Sequence, residues 1–247
     1  MRGLWKLTWT EIKLFIREPS AAFFTLAFPL MLLVLFGSIW GNEPTPFYGG
    51  FGYVDASVPA FTAMIIATCA LLSLSTVMAS YREMRVLRRL RATPLRPEGI
   101  LTAQVIVNFL MTVLGMMLLI VIAKLMYGLR FSGNPISVMV AFVLSTLSFF
   151  AIGFVLAGLM PTARTAQVVA MVLFFPMLFL SGAAMPREIM PERIQRFSEV
   201  LPLTHVVTLL RGLWVGNGWD EHFKEVAILA AILVVGVFVS AKTFRWE

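Results

Sequence analysis

Residues 81–99, YREMRVLRRLRATPLRPEG, lie between two long apolar runs. They carry six arginines (Arg82, Arg85, Arg88, Arg89, Arg91 and Arg96) against two glutamates, Glu83 and Glu98. An arginine at the bilayer centre costs about 2.5–3.5 kcal/mol even on insertion scales. The stretch must therefore stay in water, and the runs on either side read as membrane spans. The positive-inside rule puts it on the cytoplasmic side. Met84, Leu87 and Leu90 recur every three residues, the spacing of one helical face. Thr93 and Pro94 end the pattern, because proline disfavours helical geometry in the residue before it. The expectation is a short basic amphipathic helix between two spans. Such a helix can hold topology or pass force from a soluble partner into the membrane, and the residues leave both open.

Composition agrees with an all-α polytopic membrane protein. Of 247 residues, 59% are hydrophobic and 13% charged, about half the charge of a soluble domain (~25%). The net charge of +7 suits anionic headgroups. It does not argue for nucleic acid, since the arginines are confined between spans. The single cysteine, Cys69, lies in an apolar run and excludes an intrachain disulfide. No small-residue cleavage site stands out after the first apolar stretch, so no cleaved signal peptide is expected.

Before the first span, Trp5, Trp9, Ile12 and Ile16 share one helical face, and Lys6, Lys13 and Arg17 another. That pattern predicts an interfacial helix over residues 1–19. Spans are expected at about 20–40, 58–80, 100–127, 136–160, 167–185 and 226–244, with Pro29 kinking the first. Residues 186–225 are too broken to span, since about 20 apolar residues are needed. They read as re-entrant or outer helices. Six spans put both termini inside, with thirteen of the twenty Lys and Arg on that side. Gly182 and Pro186 should break the fifth segment, the first by allowing a turn and the second by preventing continuation.

Several chemistries are missing from the sequence. It has no GxxxxGK[ST] phosphate loop and no HExxH. His205 and His222 stand apart, with no carboxylate paired at ligand spacing. No carboxylate or histidine falls at mid-depth in a span, where a proton-driven carrier would keep one. A transporter of this kind needs energy from outside the chain. A channel and a non-transporting membrane assembly factor also remain open.

Two motifs are more specific. Residues 174–216 contain Ser181-Gly182, Pro186, Met190-Pro191, Leu201-Pro202-Leu203-Thr204 and Arg211-Gly212. This run resembles the C-terminal signature of ABC-2 type transporter permeases. Arg82-Glu83 through Leu90-Arg91-Ala92-Thr93-Pro94-Leu95 resembles the same family's cytoplasmic coupling region. The chain departs from that pattern at Met84-Arg85-Val86 and Arg88-Arg89, where many members carry Gly-Thr and a second Glu. The resemblance implies one transmembrane domain over residues 1–247, with a coupling helix at 82–97 and an outer gate region at 181–225. It implies the permease of an ABC exporter in the cell inner or plasma membrane. Two copies of a separate ATPase would hold ATP and Mg, and this chain would bind no cofactor itself. The second permease copy would make a homodimer among membrane lipids. Arg82, Glu83, Arg85, Leu87, Arg88, Arg89, Leu90, Thr93 and Pro94 would contact the ATPase. Ser181, Gly182, Pro186, Pro191, Pro202 and Arg211 would shape the gate. The Ser181-Gly182…Pro186 form points toward drug-like or lipid-linked cargo, with polysaccharide or glycolipid export as the alternative.

Two finer expectations follow. The helical neighbours of Glu83 on its C-terminal side are Val86 and Leu87, so its carboxylate is free to face a partner protein. The cavity wall should be aromatic, drawn from Phe23, Phe28, Phe149, Phe150, Phe174, Phe175 and Phe179.

Overall fold

The computed structural model describes residues 2–17, 23–84 and 97–243. Helix α1 (Arg2–Arg17) precedes the first span. That span is a π-helical turn (Phe23–Ala27) running into α2 (Phe28–Trp40). The second span joins α3 (Tyr53–Ala67), a π-helical stretch (Thr68–Leu74) and α4 (Ser75–Glu83). Then come α5 (Pro97–Tyr127), α6 (Pro135–Leu159) and α7 (Ala163–Leu180). Short helices α8 (Glu192–Ser198) and α9 (Pro202–Val215) lead to α10 (Phe223–Thr243). Among the described residues six segments are long and apolar enough to cross a membrane, and each matches one apolar run of the sequence.

Local chemistry moves some boundaries. The second span begins at Tyr53 rather than near Val58, because Asp55 Oδ2 accepts from Gly52 N at 3.0 Å and starts the helix early. The fifth begins at Ala163 because Thr162 Oγ1 accepts from Thr165 N at 3.2 Å. Pro29 lies where the π-helical turn passes into α2, with Ala27 between them in helical geometry.

The second span is the axis of the bundle. Of its most apolar window 83% is buried, against 11% for the last span. Lipid tails are as apolar as leucine, so helices in a membrane associate by close contact at small residues. Gly153 of α6 shows this. A Cβ there would stand 2.4 Å from the Ala70 carbonyl oxygen of the π-helical stretch. On its other side α6 meets α10: Ser148 Oγ donates to Leu229 O at 2.8 Å, and a Cβ at Gly236 would crowd Ala151 at 2.8 Å.

The chain breaks after α7. Ser181 caps the helix and Gly182 takes φ +92°, the left-handed region that favours glycine. Helix α9, at 14 residues, is too short to span, yet most of it is buried against α3, α6, α7 and α10. At the same end Asp55 is fully buried and fully used. Its Oδ1 accepts from Asn42 Nδ2 at 2.9 Å and Arg130 N at 2.8 Å, tying two loops to the start of α3.

Gly212 of α9 faces His222 so closely that a Cβ would lie 1.8 Å from the imidazole Nε2. Overpacking of this kind costs about 1–3 kcal/mol. Gly212→Ala should lower the thermal unfolding midpoint of the detergent-solubilised chain. Adding His222→Ala should restore most of the loss, and a fully additive double variant would show the two sites to be independent. Asp55→Ala strands buried donors at about 1–3 kcal/mol each and should destabilise more than Asp55→Asn in the same assay.

Candidate functional site

Arg82 and Glu83 end α4 where the arginine-rich stretch begins. Arg82 Nη1 donates to the carbonyls of Ala157 and Gly158 at 2.6 and 2.7 Å. These belong to the last turn of α6, whose carbonyls have no partners within the helix. Glu83 Oε2 accepts from Ala163 N at 2.8 Å, the first residue of α7. A cation thus sits at a helix C-terminus and an anion at the next helix's N-terminus, the sign that each helix dipole favours. Two adjacent side chains clamp the turn between the fourth and fifth spans. This corrects the expectation that the Glu83 carboxylate is left free: it holds a neighbouring helix.

A second carboxylate works nearby. Glu11 of α1 is buried, accepting from Tyr81 Oη at 2.6 Å and from Gln104 Nε2 at 2.7 Å. Gln104, Asn108 and Thr112 form a buried polar ladder along α5. Asn108 Nδ2 donates to Gln104 O at 2.9 Å, and Thr112 Oγ1 to Asn108 O at 2.7 Å. The buried face of α1 carries Thr8, Glu11 and Phe15, while Trp9 is 52% exposed under the Lys13 ammonium. Helix α1 is therefore pinned to the bundle through a polar face. Trp9, on the face expected to lie at the membrane interface, points away from the bundle.

Arg85, Leu87, Arg88, Arg89, Leu90, Thr93 and Pro94 lie outside the described residues. The opposite end holds the residues expected to form a gate. Ser181 is buried, with its Oγ accepting from Ala183 N at 3.3 Å. Pro186 leads into a 3-10 turn (Arg187–Ile189), Pro191 caps α8, and Pro202 opens α9. Arg211 of α9 bonds Glu188 Oε1 at 2.8 Å and stands over the Tyr48 ring at 5.7 Å. One side chain so joins α9, the turn after the break and the loop between the first two spans. Glu199 takes Lys224 at 3.2 Å and Arg187 at 3.9 Å. The Lys224 ammonium hydrogen-bonded to it holds its carboxyl below the usual range. His222 Nδ1 is 3.8 Å from Glu225 Oε2, a proximity the sequence reading passed over. Among the described residues no group of three acidic, histidine or cysteine side chains could hold a metal.

An apolar groove of about 690 Å³ opens beside this end. Phe28, Leu32, Phe36 and Trp40 line it from α2, Phe179 from α7, and Met185 from the segment after the break. Of the seven phenylalanines expected in a cavity wall, Phe28 and Phe179 are there. Phe149, Phe150 and Phe174 are buried in the core instead. Phe175 packs its ring edge-on to Phe174 at 5.6 Å and, like Phe23, is partly exposed away from the groove. The missed wall was visible as an aromatic and aliphatic stripe at every fourth residue of the first span. The missed polar ladder was visible as Gln104, Asn108 and Thr112 at the same spacing in an otherwise apolar run.

The ABC-2 type transporter family model matches residues 2–214. Nodulation protein J of Bradyrhizobium diazoefficiens is 33% identical over 102 residues, 41% of this chain and 39% of that protein. The inner membrane transport permease YhhJ of Escherichia coli is 24% identical over 199 residues, 78% of this chain and 52% of that protein. The putative transport permease YvfS of Bacillus subtilis is 24% identical over 244 residues, 97% and 96% of the two chains. The chain spans about two fifths of the nodulation proteins and about half of YhhJ. A family match over nearly its whole length, on a bundle of six apolar spans, makes this chain a member of the ABC-2 type transporter family, a multi-pass membrane permease.

Proposed function

We propose that the chain is the membrane subunit of an exporter that couples ATP hydrolysis on a separate ABC ATPase to release of an amphipathic, drug-like or lipid-linked molecule. ATP and Mg belong to the ATPase, present in two copies beneath a permease homodimer. Both termini and residues 82–97 face the cytoplasm, as the Lys and Arg distribution favours. The Arg82–Glu83 clamp carries the reading. It ties the root of the arginine-rich stretch to α6 and α7, and α7 runs on to the break at Gly182. A displacement applied by an ATPase at the stretch reaches the far end through hydrogen-bonded helix ends. Glu11 extends the same unit to α1. The apolar groove beside Gly182 supports a cargo with a large apolar body.

Tagging the chain and purifying it in mild detergent should bring down an ATPase that contains a phosphate loop. Repeated failure to do so would leave a non-transporting assembly factor as the better reading. Arg88→Glu with Arg89→Glu should leave insertion intact, weaken ATPase binding through like-charge repulsion at the interface, and abolish transport-linked hydrolysis. Glu83→Gln acts differently. It leaves an amide oxygen to accept from Ala163 N but removes the charge at the α7 N-terminus, worth about 0.3–1 kcal/mol at an exposed site, so the ATPase should still bind while substrate-stimulated hydrolysis falls several-fold. Normal hydrolysis in both variants would assign these residues to topology alone.

A further inference from the structure

Three polar side chains meet where the first three spans touch. Thr25 comes from the π-helical turn of the first span, Cys69 from the π-helical stretch of the second, and Thr112 from midway along α5. The three segments contact one another, and the Cys69 thiol lies beside both hydroxyls. All three residues are 0% exposed. At this depth a bilayer offers no solvent to satisfy a polar group. Thr112 is satisfied within its helix by the Asn108 carbonyl. Buried Thr62, Thr68 and Thr146 likewise donate to the carbonyl four residues earlier. Thr25 does not, and its Oγ1 has no hydrogen-bond partner. One turn back along α5 a second oxygen stands alone. Asn108 is 1% exposed, its Nδ2 donates to Gln104 O, and its Oδ1 has no partner. Turning the amide over moves the deficit to nitrogen without removing it.

Buried polar atoms without partners are uncommon and call for a ligand or a cause. Both orphan atoms are oxygens that accept, and a water molecule brings two O–H donors. Asn108 and Thr112 are one helical turn apart, about 5.4 Å, an interval that one water spans with two bonds of about 2.8 Å. We infer that water is bound at this junction, bridging Asn108 Oδ1 to Thr25 Oγ1 against the Cys69 thiol. Gln104 continues the polar run to Glu11, which it bonds at 2.7 Å, so the site connects through side chains to the Arg82 end of the bundle. A metal cation fits less well, because the junction has no carboxylate and two neutral oxygens do not offset a bare charge in hydrocarbon. The bridge joins the first span, whose most apolar window is only 22% buried, to its neighbours. A contact made through water keeps both oxygens satisfied without a direct bond between them. The site is independent of the cargo and of the ATPase.

The test places the full chain in liposomes, exchanges the buffer for D2O and follows the infrared spectrum. The single cysteine is the only source of an S–H stretching band, and Cys69→Ala supplies the blank. The S–H band should pass to S–D while the backbone amides of the spans are still protonated. Thiol and span amides exchanging together would show helix opening instead. An S–H band that persists would show a dry or cation-filled junction. Either result overturns the site. Thr25→Val keeps the side-chain shape and removes the hydroxyl. With water bound, the variant loses a hydrogen bond, so its thermal unfolding midpoint should fall and thiol exchange should slow to the pace of the span amides. A midpoint that is unchanged or raised overturns the site, because deleting an oxygen that lacks any partner removes its burial cost. The wild-type exchange experiment needs no variant and decides the question even where Thr25→Val does not fold.

Discussion

The rest of the structure depends on the burial of the second span. Inside a bilayer no water competes for backbone groups and no hydrophobic force gathers helices. Close backbone approach must supply the cohesion. The contact of Gly153 with the Ala70 carbonyl is the clearest case, because a side chain of any size there would force the fourth span away. The approach is made at a π-helical stretch, an irregularity that often marks functional segments. Hydroxyl groups accompany it: Thr68 Oγ1 donates to Met64 O at 2.8 Å, and Ser75 to Leu71 O. The axis is thus held by small residues and internal hydrogen bonds, while α10 and α2 remain largely turned to their surroundings.

The two ends of this axis are built differently. At the Arg82 end charged groups bond to helix termini, and the bonds run between elements far apart in sequence. At the Asp55 end a buried carboxylate is saturated by main-chain N–H groups and Asn42. The first arrangement couples rigid bodies through a few replaceable contacts. The second fixes a loop cluster with no spare hydrogen-bonding capacity. Alongside the axis α7 runs from the Glu83 bond to the break at Ser181-Gly182.

Much of the fold was legible because the bilayer simplifies the code. A run of about 20 apolar residues has one available fate, and all six runs took it. The break at Ser181-Gly182 was legible because only glycine readily takes the positive φ the turn requires. The site was less so. Helical spacing offers Glu83 no partner on its C-terminal side, but spacing says nothing of a helix eighty residues later. Phe149, Phe150 and Phe174 looked like cavity aromatics because apolar type does not reveal which side of a span faces inward. Glu11 was hidden by its helix: the eye follows the tryptophans and lysines, and a lone acid on a basic helix reads as surface.

Glu11 also shows why polar residues deserve more weight than apolar ones in such a chain. Burying a carboxylate is costly unless each oxygen finds a donor. Tyr81 and Gln104 meet that condition from two separate spans. Each of the three residues would be an expensive choice alone, and together they define one geometry. An apolar residue at any of these positions would let α1 slide along the bundle surface. The polar set permits one register, so α1, the end of the second span and the start of the third are held as a single body. Arg82 and Glu83 add α6 and α7 to it by the same logic. The charges in this permease are few, and those that bond across elements decide which helices move together.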